Sequence, residues 1–304
     1  MSTSVLFDAP GPKARRRARI LSIVGIIAIA ALVAWIIFVL ASPRVTANGV
    51  VQPGVFDPSR WDIFNDLALW RGVGTAVINT LRMFGVGAVG AITIGILFSF
   101  GRTANTAWVR VPVTVVLEFF RGMPVLLMML FILLVFRTGS YWAGVLALAI
   151  YNGAIIGEIL RAGIASLPKG QRESGLAIGL TPVQTRMRIE FPQAFRQMLP
   201  IIIAQLVVLL KDTSLAYIIS YPEILRFITN NLANYYGNRY FFPLFFLCFV
   251  IYLALNLTLS YIARLVAKRT AGGYVKGGKA KFEDPNLGLA KAPDAGMGGG
   301  AGPL

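Results

Sequence analysis

Histidine is absent from this 304-residue chain, and cysteine occurs only once, as Cys248. The chain therefore cannot form a disulfide of its own, a thiol-rich metal site or a histidine-based catalytic centre. Acidic residues are also few, with 13 Asp and Glu against 29 Lys and Arg. Because histidine is absent, cysteine and acidic residues are few, and no nucleophile motif is present, the sequence argues against an enzyme, including an intramembrane one.

Hydrophobic residues, in contrast, make up 56% of the chain, and charged residues only 14%. This balance is more apolar than that of soluble globular domains. A helix of about 20 apolar residues crosses the roughly 30 Å core of a bilayer. Windows close to that length cover residues 20–41, 72–100, 111–136, 142–160, 199–219 and 241–266. The sequence thus predicts an all-α membrane protein with about six transmembrane helices.

The first window follows five basic residues, as the apolar region of a secretory signal also does. Its length of about 22 residues exceeds the roughly 7 to 15 of a signal peptide, so a retained helix is predicted. Basic residues concentrate on cytoplasmic segments. If the first helix exits outward, 20 Lys and Arg fall on the cytoplasmic side and six outside. Both termini are therefore predicted to be cytoplasmic.

The net charge of +16 is spread over the flanks of the membrane windows rather than gathered in a recognition module. Anionic membrane lipid is therefore the expected partner of these charges, and nucleic acid is not. The predicted organisation is a basic cytoplasmic N-terminus (1–19), a first transmembrane helix (20–41), an outer segment (42–71), a membrane core (72–268) and a disordered cytoplasmic tail (269–304).

Small residues recur at every fourth position in two of the windows. Gly87, Ala91 and Gly95 share one helix face, and Gly153 and Gly157 share another. Such faces allow helix backbones to approach closely in a membrane. These faces predict a compact bundle, and the alternative is that the glycines line a pathway.

Charged and polar residues inside the windows are costly in lipid, and they usually face a partner or a water-filled cavity. Glu118 and Arg121 lie three residues apart and can pair on one helix face, and Pro124 is expected to bend the helix just beyond them. A structural ion pair is favoured there over direct contact with a substrate. The complete set assigned to a substrate pathway is Arg82, Glu118, Arg121, Pro124, Glu158, Lys211, Asp212, Thr213 and Ser214.

Other members of this set leave alternatives open. The fifth window is interrupted by Lys211, Asp212, Thr213 and Ser214, which are interpreted as pore lining or gating residues or as a structural polar cluster. Arg82 is hypothesised to bind the carboxylate of an acidic amino acid through a buried guanidinium, and the alternative is snorkelling or an ion pair. The polar segment around Asn230 and Tyr235, between the last two windows, is interpreted as an outer loop.

The segment 167–192 is a polar interruption between apolar windows. Pro168 suits the start of a helix over about residues 169–178, and Gly179 suits the left-handed position after it. Thr181, Pro182 and Gln184 predict a capping box that begins a second helix, which Pro192 is expected to end. This helix-turn-helix exposes apolar side chains and fits a groove on a soluble partner, although an interfacial connector has the same features.

This segment resembles the EAA motif of permease subunits of ATP-binding-cassette importers. That motif reads Glu-Ala-Ala, three residues, Gly, nine residues, Ile, one residue, Leu-Pro. Here Glu173, Gly179, Ile189 and Pro192 stand at the matching positions, while Ser174 and Gly175 replace the alanines and Phe191 replaces leucine. Three further blocks resemble the polar amino acid branch of the family, namely EFFRGMPVLL (118–127), GEILRAGIASLPKGQ (157–171) and KDTSLAYII (211–219).

The resemblance implies a five-helix type I permease core after the first helix, in the inner membrane of a bacterial cell. By it, Glu173, Ser174, Gly175, Gly179, Ile189 and Pro192 couple the permease to a dimer of separate ATPase subunits, which carry the ATP and magnesium. It further implies a second permease subunit, identical or related, and an extracytoplasmic amino acid binding protein. The expected cargo is a polar or acidic amino acid, with glutamate favoured. No cofactor is expected on this chain.

An autonomous ion-coupled transporter or channel is the competing interpretation. It would use Glu118, Arg121, Glu158 and Asp212 as a relay for protons or ions. Inverted internal repeats are common in such transporters, and the sequence has no convincing pair.

Overall fold

The computed structural model describes residues 11–45, 49 and 51–271, and most of these residues are helical. The α-helices are α1 (Pro12–Ala41), α2 (Leu67–Arg102), α3 (Ala107–Gly122), α4 (Val125–Phe136), α5 (Ser140–Ala165), α6 (Lys169–Ala177), α7 (Pro182–Thr185), α8 (Phe191–Asp212), α9 (Ile224–Arg226), α10 (Ala233–Tyr236) and α11 (Phe241–Ala271). A short antiparallel hairpin pairs β1 (Arg44–Val45) with β2 (Val51–Gln52).

Shorter helical turns connect these elements. Turns of 3-10 type cover Pro58–Arg60, Asp62–Asn65, Thr213–Tyr217 and Asn238–Tyr240, and π turns cover Arg186–Glu190 and Phe227–Leu232. The first π turn joins α7 to α8, and the second joins α9 to α10.

Within the described residues, five helices are long and apolar enough to cross a membrane, and α3 with α4 makes a sixth span if the pair is counted as one. The window 111–136 is therefore not one helix as predicted, because α3 and α4 meet at 102°. Pro124 explains the break, since it lacks an N–H and forces Met123 into an extended conformation with ψ of 130°. The bend predicted at Pro124 is thus confirmed.

Helix α1 begins at Pro12, eight residues before the predicted window, and includes the basic residues that precede it. It buries none of its residues against the rest of the chain. Its C-terminal end is tied to the outer segment, where the N–H of Val55 donates to the carbonyl of Leu40 at 2.8 Å.

The small-residue faces of α2 and α5 pack directly against each other, which confirms the compact packing predicted from them. A Cβ added at Gly95 would lie 2.6 Å from Cγ2 of Ile156 and 3.2 Å from the carbonyl oxygen of Gly153. A Cβ at Gly153 would lie 2.7 Å from Cγ2 of Ile94. Only glycine permits this approach, so the pair α2 and α5 forms the close-packed centre of the bundle.

Two apolar clusters surround this centre. One unites α2, α4, α5 and α8 around Met83, Ile132, Leu148 and Leu209. The other lies at the N-terminal end of α2, where Leu69, Ile228 and Leu244 are buried among residues of the last three helices. The two clusters pack on opposite halves of α2, which at 36 residues is about 54 Å long.

The segment interpreted as an outer loop is helical instead, from Ile224 to Tyr236. Its apolar residues pack on α2, and a Cβ at Gly72 would lie 2.8 Å from the Phe227 ring. A search of the sequence for apolar windows of about 20 residues does not detect this segment, because its helices are too short and too polar for a membrane span. The predicted disordered tail falls from residue 272 onward outside the described residues.

Candidate functional site

The polar segment forms two helices joined by a sharp turn. Helix α6 covers Lys169–Ala177, and Gly179 follows with a left-handed φ of 84°. The N–H of Leu180 donates to the carbonyl of Gly175 at 3.1 Å, which closes the end of the helix. Glycine suits position 179 because a side chain would strain that backbone conformation.

The second helix starts with a complete capping box. The N–H of Gln184 donates to Oγ1 of Thr181 at 3.3 Å, and Oε1 of Gln184 accepts from the N–H of Thr181 at 2.9 Å. Pro182 occupies the first turn, where its missing N–H costs nothing. The turn geometry therefore agrees with the sequence prediction.

Pro192 does not end this second helix, contrary to the prediction. The helix continues from α7 through the π turn Arg186–Glu190 into α8. In that turn the N–H of Phe191 donates to the carbonyl of Arg186, five residues back. The widened turn leaves room for the ring of Pro192 and needs no N–H from it, so the helix continues through the proline.

The two helices are held together by a glycine contact. Gly175 is buried, and a Cβ there would lie 2.6 Å from Cγ2 of Thr185 and 2.9 Å from Cδ1 of Ile189. Glu173 and Ser174 lie on the exposed side of α6, and Pro192 is exposed as well. The six predicted coupling residues therefore divide into those that shape the helix pair and those that face outward.

An apolar patch accompanies the exposed charges. Leu176, Ile178, Val183 and Met187 have exposed fractions of 41%, 75%, 59% and 55%. An isolated exposed apolar residue is ordinary, but four on one small helix pair form a surface suited to a protein partner.

The helix pair is braced against the bundle. Arg186 is buried, and its guanidinium donates to Oδ1 of Asn105, in the connection between α2 and α3, at 3.3 Å. Gln193 donates to Oε1 of Gln171 at 3.1 Å, which ties α8 to α6. These two hydrogen bonds connect the helix pair to the α2–α3 connection and to α8.

A chain of ion pairs connects the ends of three helices nearby. Arg121 and Arg102 each lie 3.4 Å from Oε1 of Glu118, Arg102 also pairs with Glu158, and Glu158 pairs with Arg161 at 2.7 Å. The predicted pair of Glu118 with Arg121 is confirmed. Arg102, which no sequence pattern singled out, is the link that joins the two carboxylates.

The polar group in the fifth window does interrupt its helix, because α8 ends at Asp212 and a 3-10 turn follows. Thr213 is buried and donates to the carbonyl of Leu210 at 2.6 Å, and Ser214 donates to the carbonyl of Lys211 at 2.8 Å. Lys211 itself is exposed, and Asp212 is half-buried. Asp212 forms none of the ion pairs that hold Glu118 and Glu158.

Arg82 is exposed on α2 rather than buried, which corrects the buried guanidinium of the hypothesis. No carboxylate of the described residues lies within ion-pair distance of it. Burial raises the pKa of the neighbouring Tyr221, and the positive charge of Arg82 opposes that rise. Arg82 thus keeps its donors free at the surface of this subunit.

Glu223 is a fully buried carboxylate that sequence reasoning missed. It accepts from the N–H groups of Leu225 and Arg226 at 2.7 Å each and from the hydroxyl of Tyr252 at 2.7 Å. Burial raises its pKa, while these donors act in the opposite direction. The signal in the sequence is Pro222-Glu223 before an apolar helical run, a helix start with an uncommon capping residue.

The described residues thus form a bundle of helices apolar enough to cross a membrane, with a braced, exposed helix pair beside the C-terminal end of α2. The chain belongs to the family described as the binding-protein-dependent transport system inner membrane component, which it matches over residues 91–272.

Relatives and solved structures agree with this family. The chain is 34% identical over 247 residues to the glutamate transport system permease protein GluD of Corynebacterium glutamicum, covering 78% of this chain and 89% of the relative. It is 37% identical over 195 residues to the probable glutamine permease protein GlnP of Bacillus subtilis, covering 60% and 88%. An amino acid ABC transporter crystallised with histidines has the same fold, with a TM-score of 0.61, 24% identity and coverage of 68% and 98%.

Proposed function

We propose that this chain is the permease subunit of an ATP-driven importer of acidic or polar amino acids, with glutamate as the preferred cargo. In this proposal the helix pair α6–α7 docks on a separate ATPase subunit, which binds ATP and magnesium. A second permease subunit and an extracytoplasmic binding protein complete the importer. Both termini then lie in the cytoplasm of a bacterial cell.

The exposed helix pair is the observation that carries the docking role. Its outward face combines Glu173 with the apolar Ile178, Val183 and Met187, and its inner face is locked by Gly175. Since Arg186 fixes the pair to the α2–α3 connection, movement of a docked ATPase would move the membrane helices. A bound nucleotide can drive transport only if the ATPase holds the pair differently in its two states.

Co-purification tests this docking. Glu173→Lys reverses a charge on the exposed face, so we expect the tagged permease to retain less than a third of the ATPase that the wild type retains. Asn231→Lys is the matched control, because it adds a positive charge at the opposite end of α2. Full ATPase retention by Glu173→Lys would refute the assigned face.

The preference for glutamate rests on the similarity to GluD and on the free donors of Arg82. A guanidinium without an intramolecular carboxylate can bind a substrate carboxylate with two hydrogen bonds. In uptake assays with the reconstituted importer, Arg82→Gln should raise the KM for glutamate about tenfold or more, since charged hydrogen bonds are worth about 1.5 to 3 kcal/mol. Arg82→Lys should recover part of the loss, and unchanged glutamate uptake in Arg82→Gln would remove Arg82 from the site.

The ion-coupled alternative is less well supported by the geometry. Glu118 and Glu158 are each held by two arginines, so both of these carboxylates of the postulated relay already have partners. Transport by the permease in liposomes without any ATPase would nevertheless establish that alternative and overturn the proposal.

A further inference from the structure

A cavity of about 690 Å³ opens beside the helix pair, between the C-terminal ends of α2 and α5, the start of α3, helix α6 and the π turn. Six basic residues line it, namely Arg102, Arg110, Arg161, Lys169, Arg172 and Arg186. Only two of its lining residues are acidic, Glu173 and Glu190. The cavity is therefore strongly positive and lies where two membrane helices end.

Three of the six cations are already engaged by carboxylates. Arg102 and Arg161 pair with Glu158, and Arg186 lies 3.9 Å from a carboxylate oxygen of Glu190. The side chain of Arg186 is more than nine-tenths buried, and its Nε–H has no hydrogen-bond partner. One buried donor of the wall thus stays unsatisfied.

The other three cations have no carboxylate of the described residues within ion-pair distance. Arg110 projects from α3, while Lys169 and Arg172 project from the first turn of α6. They approach one space from two separate helices, so mutual repulsion favours an anion between them.

We propose that this cavity binds a phosphate group, either of an anionic lipid headgroup or of a soluble phosphate compound. A tetrahedral phosphate presents oxygens in several directions, and it can accept from cations on α3 and α6 at once, which a planar carboxylate does less well. The volume exceeds that of a bare ion and accommodates a headgroup or a phosphorylated metabolite. Its position at the ends of α2 and α5 is within reach of lipid headgroups.

Binding to the full-length chain in nanodiscs tests the proposal. Inorganic phosphate is the probe in discs of phosphatidylcholine alone, and retained phosphatidylglycerol, measured after detergent exchange, is the probe for lipid. The double variant Arg110→Gln/Arg172→Gln removes two unpaired cations of the wall. Arg188→Gln/Arg196→Gln is the matched control, since both side chains are exposed and neither lines the cavity.

We expect the Arg110→Gln/Arg172→Gln variant to bind the probe about tenfold more weakly or worse, and the control to stay within about twofold of the wild type. Phosphate binding in discs without anionic lipid identifies a soluble ligand, whereas retention of phosphatidylglycerol alone identifies a headgroup, and either supports the proposal. Should the double variant fail to fold, Lys169→Gln on the exposed first turn of α6 gives the same comparison.

The proposal is overturned if neither probe binds the wild type, or if the control loses binding equally. It is also overturned if the double variant loses the ATPase as fully as Glu173→Lys does while probe binding stays unchanged, because the cavity would then belong to the docking surface. If Glu173→Lys loses the ATPase but still binds phosphate, phosphate binding by the cavity does not depend on docking. This inference and the proposed function can then fail independently of each other.

Discussion

At the scale of single residues, Glu223 illustrates how a carboxylate is held within an apolar cluster. Two backbone N–H groups and the Tyr252 hydroxyl converge on it. Glutamine at this position offers one acceptor oxygen instead of two, so at least one buried donor loses its partner. A buried polar group without a partner costs about 1 to 3 kcal/mol.

We therefore predict that Glu223→Gln lowers the free energy of unfolding by about 2 kcal/mol. The midpoint of thermal unfolding in detergent, followed by fluorescence-detected size exclusion, measures the loss. Glu173→Gln serves as control, because its carboxylate is exposed and its loss should leave the midpoint unchanged. Equal midpoints for both variants would contradict the structural role of Glu223.

Asp66 links the outer segment to the rest of the protein. It caps α2 by accepting from the N–H of Ala68 at 2.8 Å, and it accepts from the hydroxyl of Tyr236. These two bonds, that of Tyr236 first, hold the pKa of Asp66 below its usual value of 3.8. A lowered carboxylate pKa contributes stability that is present above the unfolded value and is lost as the pH falls through the folded value.

The expected consequence is a stability difference between wild type and Asp66→Asn that is constant near neutral pH. The difference should begin to shrink as the pH drops below about 4, where the carboxylate of the unfolded chain becomes protonated, and should be lost as the pH falls through the lower pKa of the folded state. Unfolding midpoints measured from pH 7 to pH 3 report this directly. A difference that stays constant through pH 3 would mean that the charge of Asp66 does not contribute.

Local sequence rules predicted some residues well and others not at all. Gly179 and the Thr181–Gln184 capping box are determined by neighbours within three or four positions, so the sequence predicts them. Glu223 and Arg102 depend on partners 29 and 56 residues away, Tyr252 and Glu158. Pro222-Glu223 before an apolar run indicates a helix start, but no local pattern encodes the distant contacts. The sequence therefore does not predict that Glu223 is buried against Tyr252 or that Arg102 joins two carboxylates.

At the scale of structural elements, the contact between Gly175 and Thr185 sets the angle of the helix pair. A Cβ at position 175 meets the methyl group of Thr185, which has no freedom to move away. We predict that Gly175→Ala separates the helices and costs about 1 to 3 kcal/mol of local stability. ATPase retention and amino acid uptake should both fall.

A matched control and a rescue distinguish this effect from a general response to alanine. Gly170→Ala lies on the same helix with nothing within 4 Å of the added Cβ, so it should keep or slightly raise stability. Thr185→Ala removes the nearest obstructing atom, Cγ2 at 2.6 Å, and leaves only Cδ1 of Ile189, the far end of a flexible side chain, at 2.9 Å. The Thr185 hydroxyl makes no hydrogen bond that would be lost. Gly175→Ala/Thr185→Ala should therefore recover the uptake, and failure of this rescue would contradict the proposed clash.

The long elements were predicted more reliably than their ends. Apolar length identifies α2 and α5, and their small-residue faces indicate close packing, because both signals depend on composition along one helix. The sequence does not show that the two faces pack against each other. The bend between α3 and α4 was only half predicted, since Pro124 indicates a break but not an angle of 102°. At Pro192 the same rule failed, because the π turn before it absorbs the missing hydrogen bond.

At the scale of the whole molecule, α2 connects the two ends that the proposed importer must coordinate. Its N-terminal end packs against α9 to α11, and its C-terminal end carries Arg102 and leads into Asn105, the partner of Arg186. Arg102 reaches Glu118 on α3 and Glu158 on α5, and α5 continues directly into the helix pair. One side chain thus joins three helices at the level where docking forces enter the bundle.

Arg102→Gln should uncouple ATP hydrolysis from transport in the reconstituted importer. Without Arg102 the ends of α2, α3 and α5 lose the positive charge that joins them. A coupling free energy of about 1 to 3 kcal/mol corresponds to a change of about 5- to 150-fold in the coupled equilibrium. We expect uptake to fall about fivefold or more while ATPase retention and basal ATP hydrolysis persist.

Arg121→Gln is the control, because it removes only the more exposed pair at the end of the chain of ion pairs. Its uptake should stay within about twofold of the wild type, since exposed pairs contribute little. An equal loss of uptake in both variants, or loss of ATPase binding in Arg102→Gln, would show that Arg102 supports the fold or the docking surface rather than the connection between them.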